Sequence, residues 1–245
     1  MIADNLAHVE ATLQHACDRA DRPRESVTLV AVCKQQPVAR IVEAAHAGLR
    51  HFAENRVEEA NPKIVEVSQQ ADAPLTWHLI GTIQSRKVRD VLSYEGARRF
   101  GLVHSLDDLP LAERFSRQLA ERGGQPMAVL AQVNVSGEAS KSGFDAAGWE
   151  HDAAVLARIT EQLRGAAALP HLALRGLMTM APIVPDMQQA RPVFRSLRLL
   201  RDHLQDALGL ALPDLSMGMT DDYPVAVEEG ATLVRVGRAL FAQPA

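Results

Sequence analysis

Eight short runs of β-branched and apolar residues alternate with helix-like stretches along this chain, and that alternation restricts its fold more than any other feature. The runs fall at 27–32, 51–53, 76–80, 99–103, 127–135, 172–178, 215–217 and 233–236. Between them the apolar spacing predicts helices at 37–47, from the turn "ENR" to about 69, at 85–94, up to 119, and at 149–163, 187–208 and 221–229. One more amphipathic helix, 4–19, precedes the first strand. Pro62 argues against a single continuous helix in its stretch. Strict alternation of strand and helix makes right-handed βαβ units and a parallel sheet. Eight such units in 245 residues, with no composition break to mark a linker, predict one domain, 1–245. Its expected fold is a (β/α)8 barrel of the TIM type with an extra N-terminal helix. A competing open, doubly wound sheet that bound a dinucleotide would carry a glycine-rich turn after its first strand, and "VCKQQP" has no glycine.

Composition narrows the function classes. A net charge of −4, with basic residues scattered among acidic ones, argues against nucleic acid as the main partner. Two cysteines, Cys17 and Cys33, make neither a disulfide framework nor a metal-ligand spacing. The N-terminus "MIADNLAHVE" is acidic and amphipathic, unlike a signal peptide. No apolar run approaches the roughly 20 residues that span a bilayer. The expectation is a reduced, cytoplasmic protein without membrane or nucleic-acid partners.

In a barrel, chemistry gathers where the strands end at their C-terminal side. The residues expected there are Lys34, Asn55, His78, His104, Asn134, Met178, Ser216 and Arg235. Strand ends are polar in any case, so a single lysine says little alone. The last two units say more. "SMGMTDD" and "VRVGRALF" each join a strand end, a glycine (Gly218, Gly237) and a helix start. Backbone N–H groups at such turns bind phosphate, and barrels often place a phosphate site after strands seven and eight. Tight turns alone would also explain the two glycines. A lysine amine facing a phosphate cradle suggests a Schiff base to a phosphorylated aldehyde or ketone, with pyridoxal phosphate and a sugar phosphate both fitting.

Other polar groups fit blander readings. Cys33 should face the helix layer, opposite to Lys34, because strand side chains alternate. "GEASKSG" lacks the ending of a P-loop, which leaves Lys141 as a solvated residue or a distant anion contact. His46, His51, His151, His171 and His203 have no mutual metal spacing, and Asp221 and Asp222 read first as helix-start charges.

Seven stretches in order, "VAVCKQQP", "HFAENRVEE", "WHLIGTIQSRK", "VNVSGEASKSGF", "LRGLMTMAP", "LSMGMTDDYPVAV" and "ATLVRVGRALF", give the chain a resemblance to the YggS/PROSC family of pyridoxal phosphate homeostasis proteins. That family is similar in fold to the N-terminal barrel of alanine racemase. The resemblance implies that Lys34 carries pyridoxal 5'-phosphate as a Schiff base. It implies that Ser216, Thr220 and the backbone of Gly237 and Arg238 hold the phosphate, with Arg235 facing the pyridine nitrogen. Asn55, His78 and Met178 fall on pocket positions, and Lys141 falls near the pocket entrance. The sequence departs from the family at Ala53 (usually glycine), Cys33 (usually serine) and Gln36 (a second lysine in some members). A permanently charged arginine opposite the ring nitrogen disfavours its protonation and weakens the ring as an electron sink. Racemases of similar fold use a second base, a tyrosine from a β-rich domain. The sequence shows no such domain after Phe241, and Tyr223 is the one candidate for that base. The expected function is therefore binding, buffering and delivery of pyridoxal phosphate by a monomer without catalytic turnover, with apo enzymes as recipients. The alternative is an amino acid racemase using Lys34 and Tyr223.

Overall fold

Strand β1 (Thr28–Val32) lies between β2 (His51–Glu54) and β9 (Leu233–Val236), parallel to both, with Ala31 opposite Phe52 and Val236. In the computed structural model, which describes residues 1–123 and 125–242, the sheet continues from β2 to β3 (Thr76–Leu79) and β4 (Leu102–Leu106). On the other side it runs from β9 to β8 (Asp214–Met219), β7 (Leu172–Met178) and β5 (Met127–Asn134). Pairing of β4 with β5 closes the eight strands into a parallel barrel, the (β/α)8 architecture expected from the sequence. Gly124 and the last three residues of the expected 1–245 domain lie outside the described residues.

A two-residue strand, β6 (Phe144–Asp145), adds to β5 between the expected strand 127–135 and the helix that follows it. The fourth strand is shifted from 99–103 to Leu102–Leu106. His104 and Ser105, which look like a polar exit from the strand, are fully buried inside it because each finds a hydrogen-bond partner there.

Helix α1 (Ile2–Arg19) is the extra N-terminal helix, and its fully buried Val9 and Leu13 each contribute about 1.5–3 kcal/mol. Around the barrel follow α2 (Val38–His46), α3 (Val57–Gln70), α4 (Val88–Leu92), α5 (Leu109–Ala120), α6 (Ala153–Ala167), α7 (Arg191–Leu208), α8 (Tyr223–Glu228) and α9 (Arg238–Phe241). α3 fills the stretch where a helix was expected and is continuous through Pro62, the residue that argued against an unbroken one. Pro62 and Glu58 are exposed, so the carbonyl that the proline cannot serve reaches water.

Side chains alternate across the barrel wall. The outward set joins the helices in the main core. The inward set forms a smaller core from Val30, Ala53, Leu102, Leu130, Met178 and Leu233. Into that inner core the strands also send His78, His104, Ser216 and Arg235, all buried polar groups.

Candidate functional site

β1 ends at Val32, and the chain turns at once. Gln36 N donates to Cys33 O (3.0 Å), closing a tight turn with Lys34 at its crest. Gln35 takes the left-handed region of this turn at φ 61°, a conformation that costs a side-chain-bearing residue about 1–2 kcal/mol. The turn is fastened from behind. Cys33 is buried in the main core, on the helix side as alternation requires, with its thiol against Ala53 O (3.3 Å). Lys63 of α3 pairs with the buried Glu54 (2.5 Å) and donates to Cys33 O (3.4 Å). Lys34 itself is exposed and reaches over the barrel mouth.

The mouth holds a cavity of about 320 Å³, within the range of small-molecule sites. Lys34, Asn55, Met178, Thr220, Arg235, Gly237 and Arg238 line it, with apolar walls from Val32, Ile80, Met180 and Ile183. Seven of the sequence-expected residues therefore meet in one place. Lys141 stands at its edge, its Nζ donating to Ala181 O (3.4 Å) and 3.7 Å from the Glu138 carboxylate. A larger cleft of about 520 Å³ adjoins at Asn55. Of its cations, Arg56 is paired with Glu59 (2.9 Å) and Lys87 with Glu58 (2.8 Å), while Arg86 donates to Gln84 Oε1 (3.0 Å).

Two loops build the far side of the mouth. A bulge between Ser216 and Met219 lets β8 overshoot, and Asp222 accepts from Met219 N (2.6 Å) to close the loop that carries Thr220. Gly218, at φ +91°, permits this: a Cβ there would lie 2.6 Å from Ala226 Cβ. Gly237 begins α9, and a Cβ on it would press on Val32 at 3.1–3.3 Å. The first N–H groups of α9 have no partner within their helix. α8 and α9 have only six and four residues, so these N–H groups themselves, rather than a long helix dipole, are what an anion would meet. Arg238 is paired with Asp221 across the two loops.

Arg235 is 3% exposed and lines the floor of the cavity. Burial lowers its pKa to about 10, partly offset by Asp222, so it remains charged at neutral pH. Its two terminal nitrogens are turned backwards, to Ser216 Oγ (2.6 Å) and Thr179 O (2.9 Å).

Four expected residues lie elsewhere, His104 being fully buried within β4. Ser216 is fully buried one level below the mouth, and His78 lines a second cavity, of about 440 Å³, at the opposite mouth. The reason is geometric: the bulge carries β8 beyond Ser216, and His78 sits mid-strand, opposite Ala53. Asn134 shapes its own loop, accepting from Ser136 Oγ (3.0 Å) and Gly137 N (3.1 Å). Tyr223 points out of the barrel toward Thr12 of α1, and burial raises its pKa. Tyr223, the second base of the racemase alternative, is not among the residues lining the Lys34 cavity. Sequence spacing gave no hint of His51, which meets His78 at 3.0 Å. The available signal was parity, since 51 and 55 fall on the same face of one strand.

The donor set fits a phosphorylated aldehyde: a primary amine, two guanidiniums, a hydroxyl, and free backbone N–H groups around an apolar-walled space. Among the described residues no cluster of three or more metal-binding side chains occurs, and no helix is long and apolar enough to cross a membrane.

Comparison with known proteins agrees with this geometry. The alanine racemase N-terminal domain family matches residues 5–244. A pyridoxal phosphate homeostasis protein of Pseudomonas aeruginosa is 44% identical over 241 residues, covering 98% of this chain and 94% of the relative. The structure of PipY from Synechococcus elongatus with PLP bound superposes with a TM-score of 0.79 at 36% identity, covering 99% of this chain and 100% of PipY. An alanine racemase of Clostridium difficile, 13% identical, shares the fold alone at a TM-score of 0.63, with 96% of this chain and 57% of the racemase covered.

Proposed function

Because this chain belongs to the family of pyridoxal phosphate homeostasis proteins, built on the alanine racemase N-terminal domain, we propose that it holds pyridoxal 5'-phosphate in the cavity at the C-terminal mouth. The reading rests on one observation: Lys34, Thr220, Gly237, Arg238 and Arg235 line a single cavity although up to two hundred residues separate them. The bound cofactor supplies an aldehyde that an amine can capture reversibly. Lys34, whose Nζ is the primary amine among the lining side chains, would hold the cofactor through that aldehyde. Thr220, the α9 N–H groups and the Arg238 side chain hold the phosphate at the opposite wall. Arg235 would stand against the pyridine nitrogen and, being charged, would oppose its protonation.

Tyr223, the candidate second base, is turned into the helix layer, and the Asp221 carboxylate in the cavity is paired with Arg238. A site so built retains its cargo without moving protons on an amino acid. The protein acts as a monomeric, single-domain cytoplasmic reservoir that buffers pyridoxal phosphate and passes it to apo enzymes.

The test is an absorbance spectrum of protein loaded with pyridoxal phosphate, before and after borohydride, with the modified peptide mapped. The label is expected on Lys34, and D- and L-amino acids added to the loaded protein should keep their chirality. A label on another lysine would overturn the assignment, and sustained racemisation would overturn the reservoir.

A further inference from the structure

Behind Arg235 a line of side chains crosses the barrel interior. Ser216 Oγ, which accepts from Arg235 Nη1 at 2.6 Å, lies 2.8 Å from His104 Nδ1. His104 Nε2 lies 2.8 Å from His78 Nδ1, and His78 Nε2 lies 3.0 Å from His51 Nδ1. Strand register explains the path. His51 is opposite Thr76 and His78 is opposite Leu102, so each ring meets the one two residues higher on the next strand. From β4 the line crosses the lumen to β8 and β9.

The proton inventory fixes its direction. A guanidinium only donates, so Arg235 occupies a lone pair of Ser216 and leaves the hydroxyl proton for His104 Nδ1. With Nδ1 accepting, a neutral His104 carries its proton on Nε2 and donates it to His78 Nδ1. His78 donates likewise to His51, whose Nε2–H opens on the far cavity. The reverse order would leave the Ser216 hydroxyl without an acceptor in a fully buried place, which is costly. Burial and neighbouring charge, including that of Arg235, hold His78 and His104 neutral. These tautomers follow from the network of partners. A proton conduit is excluded by the terminus, because a guanidinium has no site to receive the proton.

We propose that His104, backed by His78 and His51, is a positioning residue for the cofactor site: it orients Ser216 as an acceptor and so clamps Arg235 from behind, with no carboxylate bonded to cancel the charge turned to the cavity. The proposal rests on the reading that Arg235 faces bound pyridoxal phosphate. It predicts that His104→Leu weakens pyridoxal phosphate binding about fivefold, the loss of one neutral hydrogen bond, and that Ser216→Ala, which removes a bond from a charged guanidinium, weakens it about tenfold or more. Both should also change the absorbance maximum of the bound cofactor and its pH titration. On an Arg235→Gln background neither should weaken binding further. His104→Asn, whose amide oxygen can accept from Ser216, should restore most of the affinity.

Nitrogen-15 NMR of histidine in the ligand-free wild-type protein should find His51, His78 and His104 neutral with protons on Nε2 at pH 7, which tests the clamp even if His104→Leu fails to fold. A proton on His104 Nδ1, additive losses in the double variants, or a folded His104→Leu with wild-type affinity and spectrum would overturn the clamp while leaving the cofactor reading intact. If Arg235→Gln itself changes neither affinity nor spectrum, the placement of Arg235 against the ring fails, and the clamp's role falls with it.

Discussion

The same strands line both mouths of the barrel, a few residues apart, and the two mouths treat polar groups in opposite ways. At the C-terminal mouth Lys34, Arg235 and Arg238 border one cavity; Asp221 is paired with Arg238, and Asp222 acts on Arg235 through space without a hydrogen bond to it. At the N-terminal mouth Arg175 is matched by Asp214 (3.1 Å), and the histidines are neutral and bonded in series. Buried polar groups are cheap when satisfied and charges are costly when unpaired, so the mismatch marks where a ligand belongs. The histidine-lined end is settled by itself, and the lysine-bearing end is complete only with an anion.

The largest test removes the reactive amine. Lys34→Ala should abolish the visible absorbance of covalently held pyridoxal phosphate while leaving weaker, phosphate-held binding, because charge-assisted hydrogen bonds contribute about 1.5–3 kcal/mol each. Equilibrium dialysis against pyridoxal phosphate measures the remainder. A folded variant that binds nothing would place the anion site somewhere other than the two loops.

The second test strikes the opposite end. Burial lowers the His78 pKa to about 3 and holds His104 well below its ordinary 6.5, so the unfolded chain binds protons that the folded chain refuses. This stability is fully present above about pH 6.5 and is lost as pH falls below it, by about 1.4 kcal/mol per pH unit for each of these histidines. Urea unfolding of the ligand-free protein between pH 7 and 4.5 measures the slope. A flat profile would mean the rings are charged in the folded state, and the contrast between the mouths would disappear.

The smallest expected effect is also diagnostic. Tyr223→Phe should leave pyridoxal phosphate affinity and spectrum unchanged and cost at most about 1.5 kcal/mol of stability, the worth of a hydroxyl beside Thr12. A changed spectrum would return the tyrosine to the mouth and reopen the racemase reading.

Much of this barrel could be read from its residues. Strands buried on both faces write themselves as β-branched runs, and all eight were visible. β4 slipped by three residues because polar residues within it, His104 and Ser105, look like a strand's end until their partners are known. The site was legible where a loop delivers the residue, as with Lys34, Thr220 and Gly237. It was not legible where height inside the barrel decides. Ser216 and His78 point inward as expected, but strand stagger and the β8 bulge set their level, and neither is encoded in neighbouring residues. His51 escaped for a related reason: its partner is 27 positions away and adjacent only after two strands pair.

Lys34 sits on the crest of an exposed turn rather than at the bottom of a shaft. For a reservoir this fixes the clock. On the proposed reading, an exposed amine would let cargo leave by hydrolysis of the lysine linkage and release of the phosphate, in that order. Dissociation should then accelerate when free amines compete for the aldehyde, and a recipient protein can hasten transfer by chemistry at the mouth without first prying the barrel open.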